Sequence, residues 1–198
     1  MSRQAARSKA TRARLIAAGR ALFARHGYAG VGTEQIVRRA KVTRGSLYHH
    51  FEDKQDLFRA VHESLEEELI ARIGAALEEA AATDPIAGIR VAIGSFLDAA
   101  ADPGLARITL IEAPSVLGWA EWREIDARYG LGLASAALEG AMAAGRIRRQ
   151  PVAPLAGLFV AALGEAGIMV ATAPDPRATR SDVEAALLAL VDGLALPA

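Results

Sequence analysis

Apolar residues recur every three or four positions along nearly the whole chain, which is the period of amphipathic helices rather than strands. Leu15, Ala18, Gly19, Leu22 and Phe23 make a first stripe that Gly27 ends. A short second helix over 33–40 carries Ile36, Val37 and Ala40, with Gly32 or Thr33 as its cap. Thr43 caps a third short helix running to about Phe51. Asp53 caps a longer fourth one through Leu57, Phe58, Val61, Leu65, Leu69 and Ile73. The acidic run Glu66 to Glu68 on that helix reads as a solvated face rather than a metal site.

Later starts follow the same chemistry. Asp84-Pro85 and Asp102-Pro103 each set a capping carboxylate before a proline at the first helical position. Gly145 closes a helix begun near Trp119, and Pro151 and Pro154 open the next. Ser181 with Glu184 forms a capping box ahead of Val183, Leu187, Leu190 and Leu194, which leaves TAPDPRATRS as a mobile loop. The pattern predicts an all-α chain of about nine helices without an internal repeat. From Val152 to Ala173 the only charge is Glu165, and both helix faces are apolar. A mid-span carboxylate costs on the order of 2.5–3.5 kcal/mol in a bilayer. The run is therefore read as core on one face and a second subunit on the other, not as a membrane span.

Composition sharpens this picture in two respects. Of the 198 residues 45 are alanine, which favours helix, and cysteine is absent. The latter excludes disulfides and thiolate chemistry and fits a cytoplasmic protein. Net charge is zero, but residues 1–54 hold 12 Lys/Arg against three acids, and the remaining 144 residues carry the matching negative surplus of nine. A basic head on an acidic body points to a polyanion partner for the head, or to a solvated basic helix that lies there by chance.

The second and third helices, joined by Lys41-Val42-Thr43, have the layout of a helix-turn-helix. With Leu47 and Phe51 turned to the core beside Ile36 and Val42, the third helix leaves Arg44, Ser46, Tyr48 and His49 outward. Those groups suit bases and phosphates better than packing. Gly45 allows close backbone approach. Tyr48 has an alternative role as a half-buried ring within the domain, and Arg44 as a solvated surface group.

These residues carry a family resemblance. HGYAGVGTEQIVRRAKVTRGSLYHHFEDKQDLF, within roughly 10–60, resembles the DNA-binding domain of the tetracycline-repressor (TetR) family of bacterial transcriptional regulators. The shared pattern includes Phe23, Gly27-Tyr28, Thr33, Ile36, Ala40, Val42, Gly45, Leu47-Tyr48, His50-Phe51, Lys54 and Leu57-Phe58. Lys41 departs from it, standing where the family often has a turn glycine. A lysine there carries about 1 kcal/mol of strain where φ is positive, or serves instead as an added phosphate contact.

The resemblance implies a DNA-binding domain over 1–55 and a ligand-binding, dimerising body over 56–198. It implies phosphate contacts from Thr33 and Lys54, with Thr43 and Gly45 at the helix start. Arg44 is the candidate for reading guanine, Ser46 and Tyr48 for phosphate or a thymine edge, and His49 or His50 for phosphate. Arg3, Arg7 and Lys9 form an arm that reaches a minor groove or stays free. The resemblance also implies a homodimer through helices near 154–172 and 181–195, a double-stranded operator, and an unknown small-molecule effector that releases it.

For that effector the expected lining is Phe96, Leu105, Ile108, Ile111, Trp119, Trp122, Tyr129, Glu165 and Met169, since an apolar wall with few polar groups describes a ligand pocket. The aromatic residues have ordinary core or subunit contact as their alternative. Glu165 either pairs with an arginine such as Arg107 across the core or meets a cationic or hydroxylated ligand. His26, His49, His50 and His62 show no ligand spacing, so no metal or cofactor is expected. No nucleophile–base pair or phosphate-cradling loop marks an enzyme. Two other classes stay open at this level: a nonspecific DNA-binding protein, and a small-molecule-binding helical protein without operator specificity.

Overall fold

The computed structural model describes residues 3–81 and 83–196, apart from the side chain of Arg3. Nine helices are formed among them, in an all-α arrangement. They are α1 (Arg3–His26), α2 (Thr33–Ala40), α3 (Arg44–His50), α4 (Lys54–Ala80), α5 (Pro85–Ala100), α6 (103–117), α7 (119–143), α8 (Val152–Thr172) and α9 (Pro176–Leu194). α6 and α7 each contain one widened π-helical stretch, at Arg107–Glu112 and Ala127–Leu131.

The head is built as its caps dictate. The Thr43 hydroxyl accepts from the Ser46 amide at 3.2 Å, and the Asp53 carboxylate from the Asp56 amide at 2.8 Å. At α2 the cap is Gly32, and the Gln35 side chain reaches back to its amide at 2.7 Å. Gly27 ends α1 at φ +72°. A side chain is excluded there because a Cβ would stand 2.6 Å from the Glu112 carboxylate, which itself accepts from the Tyr28 amide.

Lys41 ends α2 in the left-handed conformation, φ 55°, ψ 49°, and Ala81 ends α4 similarly at φ 44°. Each places a Cβ where glycine would be relaxed. Lys41→Gly is expected to raise stability by about 0.5–1 kcal/mol, seen as an upward shift in Tm, because the relief exceeds the added entropy of the unfolded chain. An unchanged or lower Tm would mean that the turn accommodates lysine without strain.

The body departs from its expected punctuation in three places. Asp102 caps α6 as anticipated, accepting from the Gly104 and Leu105 amides, but the Asp84 carboxylate does not cap α5; Arg146 draws it away at 3.0 Å. α9 begins five residues before Ser181, at Pro176, capped by Asp175 through the Arg177 and Ala178 amides. Ser181 is thus mid-helix, and Glu184 pairs with Arg180 at 2.7 Å rather than closing a capping box. The segment read as a loop, TAPDPRATRS, is mostly helical, with only Ala173 to Asp175 between α8 and α9.

One core runs from Leu15, Phe23 and Ile36 through Leu57, Phe58 and Leu65 of α4 to Leu105, Ile108 and Ile125 of the body. The head therefore shares its interior with the foot of the body along α4. A second core joins α5, α7, α8 and α9 through Ile89, Ile93, Leu138, Ala166, Val170 and Leu187. Gly167 sits where a Cβ would press within 2.9 Å of Leu110 and 3.1 Å of Phe96, so α8 crosses close to α5 and α6. The outer side of α8 is uncovered, with Leu158 at 72% and Met169 at 49% exposure, and Leu190 of α9 at 61%.

Candidate nucleic-acid interface and ligand cavity

α3 buries Leu47 and turns the rest of its length outward. Arg44, Gly45, Tyr48 and His49 are exposed, whereas Ser46 and His50 are half-buried. Among the described residues nothing demands glycine at position 45, since a Cβ there would meet only the Thr43 hydroxyl at 3.9 Å. The space that glycine leaves opens outward.

Arg44 reaches Glu34 at 3.3 Å and lies 5.6 Å from the centre of the Tyr48 ring. Hydrogen bonding from Arg44, and then from Thr33, holds the Tyr48 phenol below its usual pKa. Exposed Arg44 and Tyr48 and half-buried Thr33 therefore form one constellation. Thr43 and Ser46 hydroxyls lie 3.0 Å apart and serve the cap. The His49 and His50 rings meet edge to face, and burial, followed by the charges of His49 and Arg12, pulls the His50 pKa down.

Lys54 stands elsewhere in the scheme than a free phosphate contact. Its ammonium donates to the Tyr28 and Val31 carbonyls, both at 3.0 Å, and lies 4.0 Å from the Tyr28 ring centre. Two of its three donors hold the α1–α2 turn against α4, leaving one for an outside acceptor. Lys41 is exposed in the turn, and Arg38 and Arg39 are exposed on α2. The two arginines escaped selection in the sequence because periodicity singles out the buried side of a helix. Arg7 and Lys9 are exposed on the first turns of α1, while the Arg3 side chain lies outside the described residues.

At the far end of α4 the body encloses a cavity of about 690 Å³, between α4, α5, α6, α7 and α8. That is the size of a site for a drug-sized molecule, and its wall is mainly Ala, Leu and Ile. Both π-helical stretches border it, through Thr109 and Leu110 of one and Gly130 of the other. Of the expected lining, Phe96, Leu105 and Trp122 border the cavity from within, and Trp119, 65% exposed, and Glu165 stand at its rim.

The other expected lining residues lie elsewhere. Ile108 is fully buried in the core beneath the head, and Ile111 and Met169 face outward. The Tyr129 hydroxyl donates to Glu67 at 3.3 Å on the outside of α4. Of the two alternatives for Glu165, the pair with Arg107 is not formed. Arg107 donates to the Ala24 and Arg25 carbonyls at 3.4 and 3.1 Å, satisfying the end of α1, and Glu165 is exposed at the cavity rim.

The polar lining missed in the sequence is Glu66, Asp126, Arg123 and Thr109. Glu66, read there as part of a solvated face, is turned inward. Burial, and then the charge of Asp126, pushes its carboxyl up to about 7. Burial also raises Asp126, against the pull of Arg123. His62 lies behind Glu66, its Nδ1 3.7 Å from the carboxylate, and neither ring nitrogen has a hydrogen-bond partner among the described residues. Burial lowers its pKa to about 4, so the ring is neutral at pH 7.

Cavity and head are mechanically joined. Gln55, one residue beyond the first of α4, donates to the Val116 carbonyl at 2.8 Å; Arg59 binds both Asp56 and Glu121; Arg128 reaches Glu63 at 3.1 Å. Glu121 shares a helical turn with Trp119, Trp122 and Arg123, so the cavity's rim grips α4 close to where α4 carries the head.

Comparison with known proteins agrees with this geometry. Residues 15–61 match the model for bacterial regulatory proteins of the tetR family, and residues 86–194, over half the chain, match the tetracyclin repressor-like C-terminal domain. The Tn10 TetC protein of Escherichia coli is 28% identical over 65% of this chain, which spans 64% of that relative's length. A TetR-family transcriptional regulator from Pectobacterium atrosepticum is 31% identical, superimposes with a TM-score of 0.83, and is matched over 100% of this chain and 99% of its own. RolR in complex with resorcinol shares the fold at 24% identity and a TM-score of 0.67, over 94% of this chain and 89% of its own. A head with α3 presented outward and a helical body around a cavity, each matched by its own family model, place this chain in the TetR family of bacterial regulatory proteins.

Proposed function

We propose that the chain is a transcriptional regulator that binds a DNA operator as a homodimer and is released from it, as a repressor, by a small molecule in the body cavity. The observation that carries this reading is α4, one continuous helix with the outward-facing α2–α3 pair at one end and the cavity at the other. In a two-state account, the ligand favours one setting of α4 and DNA the other, and the effector acts through its difference in affinity for the two.

The second subunit belongs on α8 and α9. Leu158, Met169 and Leu190 are exposed there, with Ala161, Ala186 and Ala189 between them allowing close helix approach. Two copies joined so would present two α3 helices to successive major grooves, about 34–36 Å apart. Leu158→Glu combined with Leu190→Glu places four charges in that interface. The expected result is a monomer by sedimentation at micromolar concentration, with affinity for a palindromic site reduced at least 100-fold. A variant that stays dimeric would move the interface elsewhere.

The test of the whole reading is a salt-titrated binding assay on the DNA flanking the protein's own gene, with random duplex beside it. Selective binding that weakens steeply with salt supports the regulator. Equal affinity for both duplexes would reduce it to a nonspecific DNA-binding protein, and binding to neither would leave a small-molecule-binding body alone.

A further inference from the structure

At the open rim of the cavity one of the protein's own cations already occupies an aromatic seat, with Trp119 and Arg123 both exposed to solvent. The Arg123 guanidinium lies 5.4 Å from the Trp119 ring centre and 5.9 Å from that of Trp122. The two indoles are 5.0 Å apart, and Asp126 Oδ2 stands 3.5 Å from the same guanidinium. Two aromatic faces and a carboxylate around one positive charge are what a cation site requires.

Carboxylates outnumber cations around this seat. Among the described residues Glu66 from α4, Asp126 from α7 and Glu165 from α8 border the cavity, against Arg123 alone. Glu66 has no lysine or arginine within ion-pair distance among the described residues; its neighbour is the neutral, fully buried His62. A carboxylate turned toward an apolar wall without a counter-ion is costly, and a ligand bringing positive charge removes that cost. An anionic ligand would add to it. The remaining wall is hydrocarbon, which calls for a greasy body behind the charge.

We propose that the cavity takes a lipophilic cation, an ammonium or amidinium on a hydrocarbon or aromatic body, whose charged group displaces Arg123 from between Trp119, Trp122 and Asp126. This rests on the reading of the cavity as the effector site. Displacing Arg123 disturbs the turn of α7 from which Glu121 holds Arg59 of α4, so the seat is wired to the helix that carries the head.

The chain has two tryptophans, both at this seat, so intrinsic fluorescence reports directly on it. The probes are decyltrimethylammonium, 1-decanol and decanoate, which share a tail and differ in charge. The expected order is ammonium at least tenfold tighter than decanol, with decanoate weakest. Asp126→Asn and Glu66→Gln should each weaken the ammonium at least fivefold and leave decanol within twofold. Arg123→Ala should tighten the ammonium severalfold by removing its competitor. Equal or tighter binding of decanol or decanoate, no saturable ammonium binding, or indifference to both carboxamide variants would each overturn the cation seat. The same titrations on DNA-bound protein separate the two readings. Neutral decanol binding that releases DNA would sink the cation and keep the regulator. Ammonium binding that leaves DNA bound would keep the seat and sink effector-driven release.

Discussion

Arg44→Ala is expected to weaken specific DNA binding by about 1–3 kcal/mol, a loss of roughly five- to 150-fold, and to flatten preference at one base position. The side chain projects from the first turn of α3, beside a glycine that clears the approach, and its neighbours are exposed. Its ion pair with Glu34 has both partners in solvent, so breaking it should leave the Tm of the head unchanged. If Arg44 reads guanine, Arg44→Lys should recover little, because a single ammonium does not reproduce a two-pronged contact. Lys41→Ala offers the contrast. As a cation in the turn it should weaken binding to all duplexes alike and reduce the salt slope by about one. Equal behaviour of the two variants would mean that Arg44 touches phosphate and reads nothing.

The head was legible because its information is local. Thr43, Asp53 and Gly27 are caps whose partners lie three or four residues away, and each forms as its spacing indicates. Lys41 was identifiable as the odd residue of the turn, and its positive φ follows from where α2 must stop. The cap errors came from competition. Ser181 and Glu184 fit a capping box, but Asp175 with Pro176 offered an earlier start of the same kind, and the earlier one was used. Asp84 had the right neighbours and lost its cap to Arg146, 62 residues away.

The cavity was only half legible for the same reason. Trp119, Trp122 and Glu165 stand out by residue type, but which side of a helix faces the cavity depends on packing between α4, α7 and α8. Glu66 was hidden by Glu67 and Glu68, two exposed neighbours that made the run look solvated. Its spacing held a usable signal. Glu66 is four residues from His62 and from Ile70, so it shares their face rather than that of Glu67.

That pair of buried groups gives the second large expected effect, in the pH dependence of stability. The Glu66 carboxyl titrates near 7 when folded and near the ordinary 4.5 when unfolded. Between those values the folded protein holds a proton that the unfolded chain has released, so stability falls as pH rises through the window. His62 acts in the opposite sense. It titrates near 4 when folded and near 6.5 when unfolded, so between them the unfolded chain holds the extra proton and stability falls as pH drops. The two slopes oppose each other, and the parent protein should be nearly level between roughly pH 5 and 6.5. Glu66→Gln removes the first slope: stability should then rise with pH up to about 6.5, and exceed the parent's at pH 8 by about 2–3 kcal/mol. His62→Leu removes the second and leaves a stability that falls from about pH 4.5 to 7. Asp126 faces Glu66 from α7 and its charge helps to raise it, so Glu66→Gln also relieves Asp126, and urea unfolding at matched pH reads the two carboxyls together. Parallel profiles for all three proteins would mean that water reaches Glu66 and His62, and that the carboxylate end of the cavity is wet.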